Sequence, residues 1–209
     1  MSQYFDEDPT AASDPREVVW SLPDGPLTLV TDHGVFGYGQ VDTGTKLLLV
    51  SAPPPPPQGD LLDLGCGTGA IALTMARRAP GATVWAVDVN RRARELCAAN
   101  AVRNGIGNVR VAAPDEVPDD RRFAAIWSNP PIRIGKPALH TLLLRWLDRM
   151  TPDGVAHLVV QKHLGADSLQ RWLTEHGHTA ERAAIGAGFR VLRVRGSSPD
   201  DVTDHASPD

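Results

Sequence analysis

Long apolar runs are absent from this sequence. No stretch of 18 or more apolar residues occurs, so no membrane-spanning helix is expected. The opening residues, MSQYFDEDPT, are acidic and lack the basic-then-apolar order of an export signal. Cysteine is scarce: Cys66 and Cys97 are too few for a disulfide framework. Without an export signal they are expected as reduced thiols of a cytoplasmic protein. No Cys/His cluster has zinc spacing, so no metal is expected. No internal repeat is visible, and 209 residues suggest one domain.

What is present is a body of ordinary composition, 42% hydrophobic, between two acidic ends. Of the net charge of −4, residues 1–17 carry −4, residues 196–209 another −4, and the stretch 18–195 is +4. Such a body tolerates an anionic substrate without demanding one. The ends hold few large apolar groups. We therefore expect flexible acidic segments at 1–17 and 196–209 around a folded domain at 18–195.

Within that domain, 18–31 reads as two extended runs around a Pro-Asp-Gly turn. Residues 34–41 form a Gly and aromatic loop. A short helix over 43–51 is stopped by the proline run 53–57, a stiff spacer. Strands are expected at 61–64, 83–87, 109–112, 123–128 and 155–160, with helices at 70–79, 91–103, 136–150 and 167–176 between and after them. Residues 180–185 and 190–194 look like a closing pair of strands. This alternation predicts an α/β fold: a seven-stranded, mostly parallel, Rossmann-like sheet with helices on both faces, plus the N-terminal hairpin.

The chemistry concentrates at two strand ends. Leu61-Leu62-Asp63-Leu64-Gly65-Cys66-Gly67-Thr68-Gly69-Ala70 closes one strand and opens a helix. Glycines there permit a tight turn and close ligand approach, and the helix N-terminus adds free N–H groups. Gly65-x-Gly67-x-x-Ala70 also satisfies the dinucleotide fingerprint, so the loop fits NAD-type cofactors as well as S-adenosylmethionine. Asp63 tilts this toward a cationic methyl donor, directly or through water, and Asp88 ends the next strand where it can accept ribose hydroxyls. Both acids can instead cap neighbouring helices. Asp115 is a weaker candidate for the adenine amino group.

Ser128-Asn129-Pro130-Pro131-Ile132 follows the fourth strand of the series. Two prolines stiffen that turn and remove two donors. The Asn129 side-chain oxygen and the Pro130 carbonyl are then two acceptors on a rigid frame, suited to an NH2 group whose nitrogen must face an electrophilic methyl. No strong base is needed, because the amine loses its proton after the methyl arrives.

Taken together, DLGCGTG, AVDVN and SNPPI resemble class I methyltransferases acting on exocyclic or amide nitrogens. The segment from Asp32 to Leu49, with GVFGYGQVDTGTKLLL, and NPPIRIGKPALH from Asn129 narrow this further. They resemble the catalytic domain of small-subunit ribosomal RNA guanine-N2 methyltransferases of the C type, and most of all its stand-alone single-domain relatives. The resemblance implies S-adenosylmethionine as donor, and guanine N2 of ribosomal RNA or of the small ribosomal subunit as acceptor. It maps Gly65, Gly67 and Gly69, with Cys66, to the donor loop, Asp88 and Val89 to the ribose end, and Asn129, Pro130 and Pro131 to the target amine. It makes Phe36 or Tyr38 a flank of the donor or a stacking platform for a flipped base, with core packing as the plain alternative. Arg133 and Lys136 become phosphate contacts or simply a solvated helix start. Many relatives place an aromatic residue where this chain has Ile132. Other acceptors fit the same frame: adenine N6, a protein glutamine, or none at all if the chain is a donor-binding assembly factor.

Overall fold

The computed structural model describes residues 7–196. The hairpin forms as expected: β1 (Arg16–Leu22) and β2 (Gly25–Thr31) pair antiparallel. Period-2 alternation puts Trp20, Leu22, Leu27 and Leu29 on the buried face. It is a separate two-stranded sheet, and such a ribbon needs support from elsewhere. Helix α3 (Arg91–Arg103) provides it. Asn100 accepts from the Val30 N–H and donates back to the Val30 carbonyl, and Asn104 does the same with Thr28. Two carboxamides four apart on a helix thus pair with backbone two apart on a strand, because both spacings are close to 6 Å.

The main sheet has the order β5-β4-β3-β6-β7-β9-β8. Its strands are β3 (Gln58–Leu64), β4 (Gly81–Val87), β5 (Val109–Ala112), β6 (Phe123–Ser128), β7 (Met150–Gln161), β8 (His178–Gly186) and β9 (Phe189–Gly196). Strands β3 to β7 pair parallel, and β9 inserts antiparallel between β7 and β8. Alternate side chains serve two cores. Leu61, Val84, Ala86 and Trp127 face α1 (Thr43–Ser51), α2 (Ala70–Arg78) and α3, together with the hairpin. Leu62, Trp85, Ile126 and Leu158 face α4 (Lys136–Leu147) and α5 (Ala166–Glu175). A sheet covered on both faces is what near-continuous apolar strands require.

The largest departure from the expected elements lies before β7. The helix expected to reach 150 stops at Leu147, and the strand starts at Met150 rather than 155. The Thr151-Pro152-Asp153-Gly154 stretch looks like a turn. It is instead accommodated as an irregularity in the ladder, with a register shift opposite Phe123/Ala125. A Cβ on Gly154 would sit 2.9 Å from the Phe123 and Thr151 carbonyl oxygens, so glycine lets the strand pass there.

Residues 7–15, expected as part of a flexible arm, run along the body. Asp8 pairs with Arg91, Ser13 and the Asp14 N–H both donate to Asp32, and Arg92 donates to the Ala11 carbonyl. The arginines of α3 are therefore ties within the chain rather than a free face. Arg94 donates to the Asp88 and Val89 carbonyls, and Arg103 pairs with Glu17. The acidic segment 197–209 and residues 1–6 lie outside the described residues. Among the described residues, no helix is long and apolar enough to cross a membrane.

Candidate active site

The C-terminal ends of β3, β4, β6 and β7 open into one cavity of about 330 Å³. It lies where the strand order reverses between β3 and β6, the place where open α/β sheets bind ligands. One wall is the glycine loop. A Cβ on Gly65 would meet nothing within 4 Å, so the backbone here faces open space. Most of the loop's amides are already used. Gly65 and Cys66 both donate to the Val87 carbonyl, Gly67 to the Asp88 carboxylate and Gly69 to the Cys66 carbonyl. The Ala72 N–H, in the first turn of α2, donates to Asp63.

Asp88 lines the cavity beside Val89. Its two oxygens accept from the Gly67 and Asn90 N–H groups, each at 2.9 Å, and keep lone pairs for a ligand. Burial pushes its carboxyl above the usual range, against the pull of those N–H groups and of Arg94. Cys66 is also in the wall. The neighbouring Cys97 thiol and burial push its thiol well up, so it is a neutral, apolar surface.

The opposite wall is built on Asn129. Ser128 Oγ donates to the Leu64 carbonyl at 2.6 Å and ties the end of β6 to β3. Asn129 follows, and its Nδ2 donates to Asp42 Oδ2 and to Thr45 Oγ1, both at 3.0 Å. Among the described residues nothing donates to Asn129 Oδ1, which is the acceptor the sequence pointed to. The Pro130 carbonyl accepts from the Ile132 N–H at 2.8 Å. That bond closes an inverse γ-turn on Pro131 (φ −74°, ψ 72°) and leaves the carbonyl one lone pair, so the second acceptor is half used.

Asp42, Thr45 and Gly44 were not legible as site residues. Asp42 is the N-cap of α1, accepting from the Thr45 N–H at 2.6 Å, and its carboxylate also reaches Asn129. A Cβ on Gly44 would lie 2.7 Å from the Phe189 ring, so glycine makes room for that ring in the cavity wall. The diagnostic segment Asp42-Thr-Gly-Thr45 therefore had a structural reason that a linear reading cannot see. Gln161 and Leu164, from β7 and the turn after it, complete the lining.

Phe36, Ile132 and Arg133 lie in the cavity wall, and Phe36 is 46% exposed. Five expected residues do not line it. Asp63 is fully buried beneath the loop, where it holds the start of α2. Gly69 (φ 92°) faces α3, and its Cβ would sit 2.8 Å from Cys97 Sγ, so glycine allows the close approach of loop and helix there. Tyr38 turns away to stack on His33 and donate to Asp14. Asp115 is exposed and paired with Arg145, and Pro114 of the same turn lines the cavity instead. Lys136 starts α4 outside the wall.

Four cations surround the mouth. Lys46, Arg133, Lys136 and Lys162 are exposed, and among the described residues none has an ion-pair partner. Each stands on or next to the turns that line the cavity. Among the described residues no group of three or more His, Cys, Asp or Glu side chains is placed to hold a metal ion.

Residues 26–193 match the family described as the methyltransferase small domain. The chain belongs to that family. This methyltransferase is 37% identical over 195 residues to the uncharacterized protein YbxB of Bacillus subtilis, covering 92% of this chain and 97% of the relative. It is 34% identical over 184 residues to ribosomal RNA small subunit methyltransferase C of Pseudomonas aeruginosa, covering 85% of this chain. It spans about half (54%) of that relative's length. Its fold is shared with the T. thermophilus 16S rRNA N2 G1207 methyltransferase in complex with AdoMet and guanosine. That match has a TM-score of 0.72 and 23% identity, over 91% of this chain and 52% of the other.

Proposed function

We propose that this chain is an S-adenosylmethionine-dependent N-methyltransferase whose acceptor is the exocyclic N2 of a guanine in small-subunit ribosomal RNA. The observation that carries the chemistry is the Asn129 carboxamide: its nitrogen is clamped and its oxygen is free, opposite the glycine loop in one cavity. When bound, S-adenosylmethionine supplies an electrophilic methyl group. Asn129 Oδ1 and the remaining lone pair of the Pro130 carbonyl hold the two N–H bonds of a planar amine. Its nitrogen is thereby turned toward the loop. Asp88 holds ribose hydroxyls, and Val89 and Cys66 give an apolar wall. The proton leaves after transfer, so the absence of a strong base on this wall is no obstacle.

Membership of the methyltransferase small domain family favours a methyl donor over a dinucleotide. A pyrophosphate needs unpaired amides at a helix N-terminus. Here the amides of Gly65, Cys66, Gly67 and Gly69 are committed within the loop, while among the described residues those of Ala70 and Ile71 at the start of α2 have no acceptor, so the loop by itself admits either cofactor. A titration with S-adenosylmethionine and NAD side by side is expected to show binding of the first only.

RNA as the acceptor is supported by the relatives' names and by the unpaired cations at the mouth, which suit phosphates on either side of an extruded base. Phe36 and Phe189 offer ring faces in the same wall. The mechanism is tested with Asn129→Ala: donor affinity stays near wild type while methyl transfer falls roughly 10²- to 10³-fold, the scale of one preorganised polar group. Equal turnover in that variant removes the proposed role of Asn129.

A further inference from the structure

We infer that Asp42 is a positioning residue for the methyl-transfer step, acting on the acceptor amine through Asn129; this rests on the function proposed above. A carboxamide presents an oxygen and a nitrogen of nearly equal size, and a half-turn about its last torsion exchanges them. Facing the cavity with its nitrogen, Asn129 would offer two donors to an amine that also needs to donate. The site works only in one orientation, and something must choose it.

Two acceptors sit behind Asn129, and only one of them decides which end of the amide faces it. Asp42 is a carboxylate whose Oδ2 accepts from both the Thr45 N–H and Nδ2 of Asn129, so it favours the amide nitrogen and repels Oδ1. Thr45 Oγ1 is the second acceptor on the same nitrogen. A hydroxyl can rotate to donate, so Thr45 alone would tolerate either orientation. The carboxylate supplies the sign. It also polarises the amide, pushing electron density toward Oδ1 and making it the stronger acceptor.

The clamp is itself rigid. Asp42 Oδ2 is fixed by the Thr45 N–H at 2.6 Å as the N-cap of α1, and the Lys46 N–H donates to the Asp42 carbonyl at 2.9 Å. One carboxylate oxygen thus starts a helix and sets the orientation of a side chain 87 positions away. This explains why the first helix of the domain begins where it does: its N-terminus is an element of the site. Asp42 touches neither reacting atom and acts through Asn129.

The discriminating variant is Asp42→Ser. Serine is an equally good N-cap, so α1 is retained, but its side chain is one atom too short to reach Asn129. We expect kcat to fall about 10- to 100-fold, the scale for misplacing a reacting group. The dissociation constant for S-adenosylmethionine is expected to stay within about twofold of wild type. Asp42→Asn, which keeps an acceptor oxygen at the same reach, should recover part of the loss. In a double-mutant cycle with Asn129→Ala, removing Asp42 should cost nothing further, because its effect passes through Asn129. A full multiplicative loss in that background, or unchanged kcat in Asp42→Ser, would overturn the inference. The side-chain NH2 signals of Asn129 in a nitrogen–proton spectrum give a readout independent of turnover. They should shift on Asp42→Ser, and unshifted signals would overturn the clamp by themselves. Failure of the proposed acceptor is visible separately, as label in a product other than N2-methylguanosine with the cycle still coupled.

Discussion

Asn129 and Asp63 show how differently two polar side chains of similar shape are used in this fold. Asn129 keeps its oxygen free beside a cavity. Asp63 is wholly buried, with one oxygen on the Ala72 N–H and the other unpartnered, and burial raises its pKa well above the ordinary carboxylate value. The sequence pointed to both residues as candidates at strand ends. It did not show which way they face, because the glycine loop folds over Asp63 and a segment 87 residues distant turns Asn129. Gly69 makes a sharper case. It reads as part of a ligand loop, yet its neighbours are Cys97 and Leu73. Gly69→Ala combines a left-handed φ with overpacking, and should lower stability by about 1–3 kcal/mol in a denaturation experiment. His157 carries a pH effect. It is buried with neither ring nitrogen partnered, and burial with Arg193 and Arg195 nearby depresses its pKa to about 4. A folded value below the unfolded 6.5 means its contribution is complete above about pH 6.5. It is lost as pH falls toward 4, on the order of 3 kcal/mol in all. A stability profile over that range should flatten in His157→Leu; an unchanged slope would assign the effect to other groups.

Among the elements, helices with clear periodicity and strands bounded by polar residues were legible to within a residue or two, as for α1, α3, β5 and β6. What escaped were features created by other elements. The start of β7 is hidden behind a Pro-Asp-Gly sequence that mimics a turn. The role of Asn100 and Asn104 is hidden because polar residues on a helix normally read as solvent-facing. Their edge-on pairing with β2 holds the hairpin to the body. Asn100 also donates to the Thr68 carbonyl, so one side chain joins hairpin, helix and glycine loop. Asn100→Ala leaves the Val30 amide and carbonyl and the Thr68 carbonyl without that partner. It should cost about 2–3 kcal/mol, and proteolysis should then cut the hairpin first.

At the scale of the whole molecule, part of the positive charge is tied down within the chain and part is left free at the cavity mouth. Asp8 and Glu17 pair with Arg91 and Arg103 of α3, while Lys46, Arg133, Lys136 and Lys162 stand without ion-pair partners among the described residues around the cavity mouth. Binding of RNA there should weaken as salt rises. Arg133→Ala with Lys136→Ala should reduce the salt slope by about one to two and raise KM more than it lowers kcat. A slope equal to wild type would place the RNA elsewhere. The central claim is the identity of the methylated group. The direct measurement is transfer of labelled methyl from S-adenosylmethionine to small ribosomal subunits, free ribosomal RNA and total protein from cells lacking this chain, followed by mapping of the labelled product. The account predicts label in RNA, recovered as N2-methylguanosine and absent with Asn129→Ala. Label recovered as methylglutamine in protein, or as N6-methyladenosine in RNA, would contradict it.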